Sequence, residues 1–305
     1  MKVHFVISEY INYLKALGRS HYTINNVRSV MRSFIRFLEA EDATDIEDIS
    51  VDILREYQQE LYFYLTAKGR PLTLRTQGLH LSIVKGFTRF LWDQDYLVID
   101  PGAKIQLPKK PRRLPKVILS PIEVKKLINA ADMRTDNGYR NRIVIEILYD
   151  TAIRRSEMAG IKLHDVDLAN GYLRVTGKGG KDRVVPISHR VCELVQTYMV
   201  GVRPSFVQGD DPGYLVLNRW GDQLGPDSVA AVVKRLAVLS KIKKNISTHT
   251  LRHTCATHML KNGAPARYLQ EMLGHESLES TQVYTHVTIN DLKAIHAKYH
   301  PFEQS

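Results

Sequence analysis

The chain is 305 residues long, 44% hydrophobic and 25% charged, with a formal net charge of +11; these figures exclude a disordered chain and leave room for two domains, each with its own core. No apolar run approaches the roughly 18 residues of a membrane span, and the first residues lack a leader with a cleavage site, so a soluble, cytoplasmic protein is expected. Cys192 and Cys255 are too few for a disulfide framework, and the positive excess favours an acidic partner, of which nucleic acid is the commonest.

Four helices are predicted for the first hundred or so residues. Val6, Ile7, Tyr10, Ile11, Leu14 and Leu17 recur at helical spacing. Thr23 is placed as the cap of a second helix, with Ile24, Val27, Met31, Phe34 and Leu38 as its inner stripe. A third starts at Ser50, carries Ile53, Leu54, Tyr57, Leu61 and Leu65, and stops at Gly69-Arg70-Pro71. Thr73 caps a fourth that runs to about Asp95. Arg28, Arg32 and Arg36 on the second helix, with Arg75, Lys85 and Arg89 on the fourth, form either a plain solvated face or a phosphate-contacting one. The residues of this half leave both readings open.

Residues 107–116 read LPKKPRRLPK. Three prolines keep the stretch extended, and Lys109, Lys110, Arg112, Arg113 and Lys116 face no acid. Such a strap suits the crossing of a phosphate backbone. The expected organisation is therefore a helical domain at 1–106, a basic linker at 107–116 and a second domain at 117–305.

The second domain opens with a capping box at Ser120-Pro121-Ile122-Glu123. Helices are predicted to about 131 and over 138–159, the latter containing TAIRRSEM. Then the pattern shortens to strands: IKLH, a turn at Asn170-Gly171, YLRVT, the loop GKGGKD, and RVVPI. The loop displays Lys178 and Lys181 among glycines, but lacks Walker spacing and opens no helix, so a nucleotide site is rejected. Helices resume over 188–200 and 226–240, run through the stretch beginning at His249, and end with 290–299. The fold class expected is mainly α with a small antiparallel β-sheet.

The chemistry gathers in His249 to His286. His249 and Arg252 lie one helical turn apart on one face. Gly274 allows the chain to turn and bring His275 back toward them, and Tyr284 follows nine residues later. Two imidazoles, a guanidinium and a phenol brought together point to phosphate handling with tyrosine as nucleophile.

TAIRRSEM, VTGKGGKDRVVPI, HTLRH and LGHESLESTQVYTHV resemble the signature segments of the tyrosine recombinases of the phage integrase family, in particular the Xer-type branch. The resemblance is strong over 117–300, and the first domain resembles the family's helical, SAM-like core-binding domain, so an α+β catalytic domain is implied after it. It implies site-specific cleavage and rejoining of double-stranded DNA through a 3′-phosphotyrosine, with no ATP, no cofactor and no metal. Arg154 and Arg252 match the catalytic arginines, Lys178 the hairpin lysine, and His249 and His275 the two histidines, with Tyr284 as nucleophile. Ala152 stands where the family usually has glycine, a departure expected to touch no catalytic group; Arg155 beside Arg154 makes the choice between them a matter of register, and Arg154 is taken. The resemblance also implies a homo- or hetero-tetramer on paired sites, with the last helix docking on a neighbouring protomer through Ile289, Leu292, Ile295 and Tyr299. Lys109, Lys110, Arg112, Arg113 and Lys116, together with Arg28, Arg75, Lys85 and Lys181, are the expected DNA contacts. Dimer resolution and element integration or excision both remain open.

The chemistry of these groups agrees. A phenol with a pKa near about 10 needs a base, which His249 supplies; two guanidiniums balance the charge of an in-line displacement; Lys178 reaches the leaving 5′ oxygen. Two alternatives compete. A type IB topoisomerase shares the chemistry but relaxes DNA as a monomer. A zinc protein would use His249, His253, Cys255 or His258, but Arg252 between the ligands would repel the ion.

Overall fold

The computed structural model describes residues 1–109, 117–177, 180–274 and 289–303. Lys110, Arg112, Arg113, Lys116, Lys178, His275 and Tyr284 lie outside the described residues. The chain divides into two compact units, Met1–Leu114 and Pro115–Ser305. No helix among the described residues is long and apolar enough to cross a membrane.

The first unit holds α1 (Val3–Ala16), α2 (His21–Ala40), α3 (Val51–Phe63) and α4 (Leu74–Asp93). Its core gathers Phe34, Tyr57, Phe87 and Leu91, with Phe34 and Tyr57 meeting edge to face at 4.9 Å. Ser50 and Thr73 cap α3 and α4 as expected, but Thr23 does not cap α2. Ser20, three residues earlier, accepts the Thr23 N–H, so Thr23 already sits in the first turn. The third helix ends sooner than its apolar pattern suggests: Leu65, 61% exposed, pairs with Pro71 in a short bridge instead of entering the core.

Lys85, one of the expected DNA contacts, is bonded within its own unit. It leans on the 3₁₀ turn Pro101–Lys104, where its Nζ donates to the carbonyls of Gly102 (2.5 Å) and Ile105 (2.6 Å). The Gly102 carbonyl also accepts the Ile105 N–H (3.1 Å), so the ammonium adds a second donor to a carbonyl already paired in the turn. Arg28, Arg75 and Lys109 are exposed.

In the second unit, α5 (Pro121–Asn129) begins with the Ser120–Glu123 capping box. Its centre is α6 (Asp136–Thr151), whose Ile143, Val144, Ile145, Ile147 and Leu148 are all fully buried. The helix is buried on nearly every side, its charged Glu146 and Asp150 included, as befits the central helix of a core. The expected helix over 138–159 is in fact two, because Ala152 adopts φ 52°, ψ 25° and α7 (Arg155–Gly160) starts anew. Only a left-handed residue turns the chain this sharply, and the buried Ala152 methyl lies in the core.

IKLH is also corrected. Ile161 is buried and Leu163–Asp165 forms a 3₁₀ turn, so the first strand is β1 (Val166–Asp167), followed by β2 (Tyr172–Thr176) and β3 (Asp182–Pro186). The sheet is antiparallel in the order β1-β2-β3, with Leu173 opposite Val185. Then come α8 (His189–Thr197), a π turn at Tyr198–Val202, α9 (Pro226–Leu239), α10 (Thr248–Lys261), α11 (Ala266–Leu273) and α12 (Ile289–Tyr299). The apolar stripe of α12 is spent within the chain: Leu292 is buried, and Ile289, Ile295 and Tyr299 pack on the same core.

The left-handed turn yields a test. Ala152→Gly should change stability little: relief of about 1–2 kcal/mol of left-handed strain is offset by about 0.8 kcal/mol for the lost methyl and about 0.4–1 kcal/mol of unfolded-chain entropy. Ala152→Val adds branching at positive φ within a filled core and should cost about 2–3 kcal/mol. Urea denaturation reads both, and a Val variant as stable as the wild type would refute the strain account.

Candidate active site

The N-terminus of α10 is fixed by Ser247, which accepts the Thr250 N–H. His249 sits in this first turn, exposed, and Arg252 follows one turn later, half-buried. Arg252 donates from Nη1 to the Ala152 carbonyl (2.7 Å) and from Nη2 to the Leu273 carbonyl (2.6 Å). The turn at Ala152 therefore does touch this arginine: its backbone presents the oxygen that orients the guanidinium. Burial, then the nearby charge of Arg154, lowers the Arg252 pKa to about 10.

Arg154 stands at the start of α7. Its backbone N–H donates to Glu157 Oε2 (2.7 Å), its Nη1 to Oε1 (2.8 Å) and its Nη2 to the Gly274 carbonyl (3.1 Å). Arg155 turns away and pairs with Asp227 at 2.9 Å. From β3, Arg183 forks onto both Glu157 oxygens (2.9 Å each), while its Nε donates to the Met272 carbonyl (3.2 Å). Burial pushes the Glu157 carboxyl up, but the Arg183 fork, the Arg154 amide, the Arg183 charge and the Arg154 side-chain hydrogen bond outweigh it and hold the pKa at about 2.

Three guanidiniums thus take three successive carbonyls, Met272, Leu273 and Gly274, at the C-terminus of α11. A helix ends with unsatisfied carbonyls and a negative dipole end, so it holds cations there without a carboxylate for each. Gly274, at φ 60°, closes α11 in the left-handed cap that the sequence suggested. Each guanidinium carries five donors, so Arg154 and Arg252 keep N–H groups beyond those bonds. His275, next in the chain, lies outside the described residues, as does Lys178. The flanks of the Lys178 loop are described: β2 and β3 pair up to Thr176–Asp182, and the Gly177 N–H donates to the Lys181 carbonyl at 2.8 Å. The structure brings Arg154 and Arg252 together with Glu157 and Arg183, and places His249 one turn from Arg252; Lys181 is exposed on the hairpin.

Residues 118–291 match the family model for the phage integrase family, and residues 7–95 match the model for its N-terminal SAM-like domain. The chain belongs to the phage integrase family. It is 38% identical over 98% of its length to tyrosine recombinase XerC 2 of Ralstonia nicotianae, covering 87% of that protein. It is 35% identical to tyrosine recombinase XerD of Staphylococcus saprophyticus, over 97% of this chain and 98% of that one. A lambda integrase dimer bound to a COC′ core site shares the fold with a TM-score of 0.71 at 18% identity, covering 94% of this chain and all of that one. XerH bound to its difH substrate does so with a TM-score of 0.68 at 21% identity, covering 98% and 82%. An integrase-family catalytic domain following a SAM-like helical domain is the architecture of this chain.

The zinc reading gains nothing from the structure. His258 Nε2 donates to the Leu119 carbonyl (2.9 Å), which leaves Nδ1 to accept from the Tyr149 hydroxyl (2.8 Å), so neither nitrogen is open. Cys255 is fully buried, and burial pushes its thiol well above the usual range, away from the thiolate a metal needs. A different set, Asp150, His296 and His300, does place its ligand atoms within 4.8 Å of one another. The two rings stack 4.6 Å apart with planes 5° from parallel, so an ion in the plane of one lies out of the plane of the other. His296 Nε2 instead donates to the Asp150 carbonyl (3.0 Å), and burial, then His296, keeps the His300 pKa well below its ordinary value and the ring neutral.

The sequence assigns no role to Glu157 or Arg183, although both lie within the segments TAIRRSEM and RVVPI. The available signals were Glu157 three residues after Arg154, which suits a first-turn carboxylate reaching back to an N–H, and Arg183 two residues after Lys181 on a paired strand.

Proposed function

We infer that this chain is a site-specific DNA recombinase that breaks and rejoins double-stranded DNA through a tyrosine-linked intermediate. The observation that carries the reading is the Arg154–Arg252 pair, held by backbone carbonyls and by Glu157 with donors to spare, in a chain of the tyrosine recombinase family. In this mechanism Arg154 and Arg252 bind the non-bridging oxygens of the scissile phosphate and balance the charge that builds in the displacement. His249 takes the Tyr284 proton as the phenol oxygen bonds to phosphorus, and the bond from phosphorus to the 5′ oxygen breaks. Lys178 gives that oxygen its proton, and His275 adds a hydrogen bond to the phosphate. The phosphotyrosine conserves the energy of the broken bond, so a second DNA end rejoins without ATP.

The relatives named XerC and XerD, and lambda integrase structures described as a dimer on a core site and a tetramer on a Holliday junction, support assembly as a homo- or hetero-tetramer on paired sites. A cytoplasmic enzyme serving dimer resolution, as in chromosome partition, or element movement fits the same names. Docking of α12 on a neighbouring protomer would require release of Leu292 from its own core, because its apolar stripe is filled within the chain. DNA contacts remain assigned to Arg28, Arg75, Lys181 and the strap residues Lys109, Lys110, Arg112, Arg113 and Lys116.

The test is a covalent trap in chelator. Wild-type protein mixed with fragmented genomic DNA of its source cell, denatured with SDS and sequenced, should yield adducts on one recurring site. Adduct yield should be unchanged in excess EDTA, since guanidiniums supply the positive charge. Glu157 already accepts four N–H donors, which leaves it poorly placed to hold magnesium. Loss of adducts in EDTA and their return with magnesium or zinc would overturn the metal-free mechanism; no adducts under any condition would overturn the recombinase reading.

A further inference from the structure

Arg183 is not among the groups assigned to the chemistry, yet it is bonded more fully than either arginine that is. Its side chain is 16% exposed, and its Nε, Nη1 and Nη2 all donate inside the chain, two of them to Glu157 and one to the Met272 carbonyl. Glu157 is buried and would otherwise face Arg154 alone, three residues away. A carboxylate prefers a bidentate guanidinium, and a buried one draws in whatever cation is nearest. With Arg183 forked onto Glu157, Arg154 gives that carboxylate one side-chain nitrogen and turns the other to the Gly274 carbonyl. The packing is close: a Cβ on Gly274 would stand 3.3 Å from the Arg183 guanidinium carbon.

We propose that Arg183 is a positioning residue: by forking onto Glu157 and bonding the Met272 carbonyl, it keeps Arg154 from being captured by Glu157 and leaves it aimed at the scissile phosphate. The same side chain pins β3, and with it the Lys178 hairpin, to the end of α11. Three of the five Arg183 N–H groups are committed inside the chain, and its proposed role is to hold Glu157 and the end of α11 and not to bind the phosphate itself. The proposal rests on the recombinase reading for the identity of the phosphate that Arg154 meets.

Removal of Arg183 should leave Glu157 to pair with Arg154. Cleavage falls while DNA binding stays. Removal of the Glu157 charge in that background should release Arg154 again. A purely structural role predicts instead that the two losses add.

The experiment is single-turnover cleavage of a nicked duplex carrying the trapped site, by wild type, Arg183→Ala, Arg183→Lys, Glu157→Gln and the double variant Arg183→Ala/Glu157→Gln, with binding measured in parallel. Arg183→Ala should cleave about 10- to 100-fold more slowly, the scale of a misplaced catalytic group, with a Kd within about threefold of wild type because phosphate contacts set affinity. The double variant should recover about five- to tenfold of that loss. Thermal melting identifies any variant that fails to fold; Arg183→Lys, which keeps charge and stem but loses the fork, then carries the test and should also cleave slowly. A substrate with a 5′-bridging sulfur should not rescue Arg183→Ala, since the defect lies in charge balance and not in protonation of the leaving group. Wild-type rates in Arg183→Ala or Arg183→Lys, additive loss in the double variant, an equal fall in binding, or sulfur rescue would each overturn the proposal. Wild-type protein that forms no adduct would overturn the recombinase reading itself.

Discussion

Tyr284→Phe is expected to form no SDS-stable adduct with the trapped site, a loss of about 10⁴-fold or more, as for other enzymes deprived of their nucleophile. Binding should survive, because a single hydroxyl adds little to an interface dominated by phosphate contacts. The structure sharpens the controls. Tyr268 is 1% exposed, and burial pushes its hydroxyl far above the usual range, so it can neither reach DNA nor ionise to attack it. Tyr299 packs its ring on Gly263 and against the catalytic-unit core. Tyr268→Phe and Tyr299→Phe should therefore keep adduct formation, provided each melts as the wild type does. An adduct that persists in Tyr284→Phe would move the nucleophile elsewhere, and Tyr299 would be the next phenol to test, since Tyr268 is sealed.

How much of this was legible beforehand follows the range of the forces involved. Helical periodicity and capping are local, and Ser50, Thr73 and the Ser120–Glu123 box cap their helices where the sequence places them. Thr23 does not, because Ser20 offers the same hydroxyl three residues earlier and only backbone geometry chooses between them. The single helix expected over 138–159 failed for a related reason: its apolar pattern runs on through Ala152, and alanine carries no signal for positive φ. Lys85 reads as a surface cation until the carbonyls of Gly102 and Ile105 are brought to it by tertiary structure. At the site, spacing places Arg252 beside His249 and the family resemblance adds Arg154, but the groups that orient the two are mostly backbone oxygens from Ala152 and the end of α11. Main-chain carbonyls occur at every residue, so no pattern marks the ones that matter.

The hairpin offers the most discriminating test of chemistry. Lys178→Ala should slow cleavage of ordinary DNA by about 10²–10⁴-fold, the range for losing a positioned proton donor. A 5′-bridging phosphorothiolate has a sulfur leaving group that departs with little protonation, so Lys178→Ala should recover most of its rate on that substrate. Arg154→Ala should stay slow on both, because the charge on the non-bridging oxygens is unchanged by sulfur at the bridge. Lys181, exposed two residues before Arg183, is the internal control, and its alanine variant should weaken binding without selective rescue. The geometry of the loop makes the comparison fair: Gly177 and Lys181 are bonded across its base at 2.8 Å, so either lysine can be trimmed at the side chain without removing that bond. Rescue at Lys181 in place of Lys178 would move the acid by three residues along the loop. Rescue at neither would take the hairpin out of proton transfer and leave the leaving oxygen to be protonated from another element.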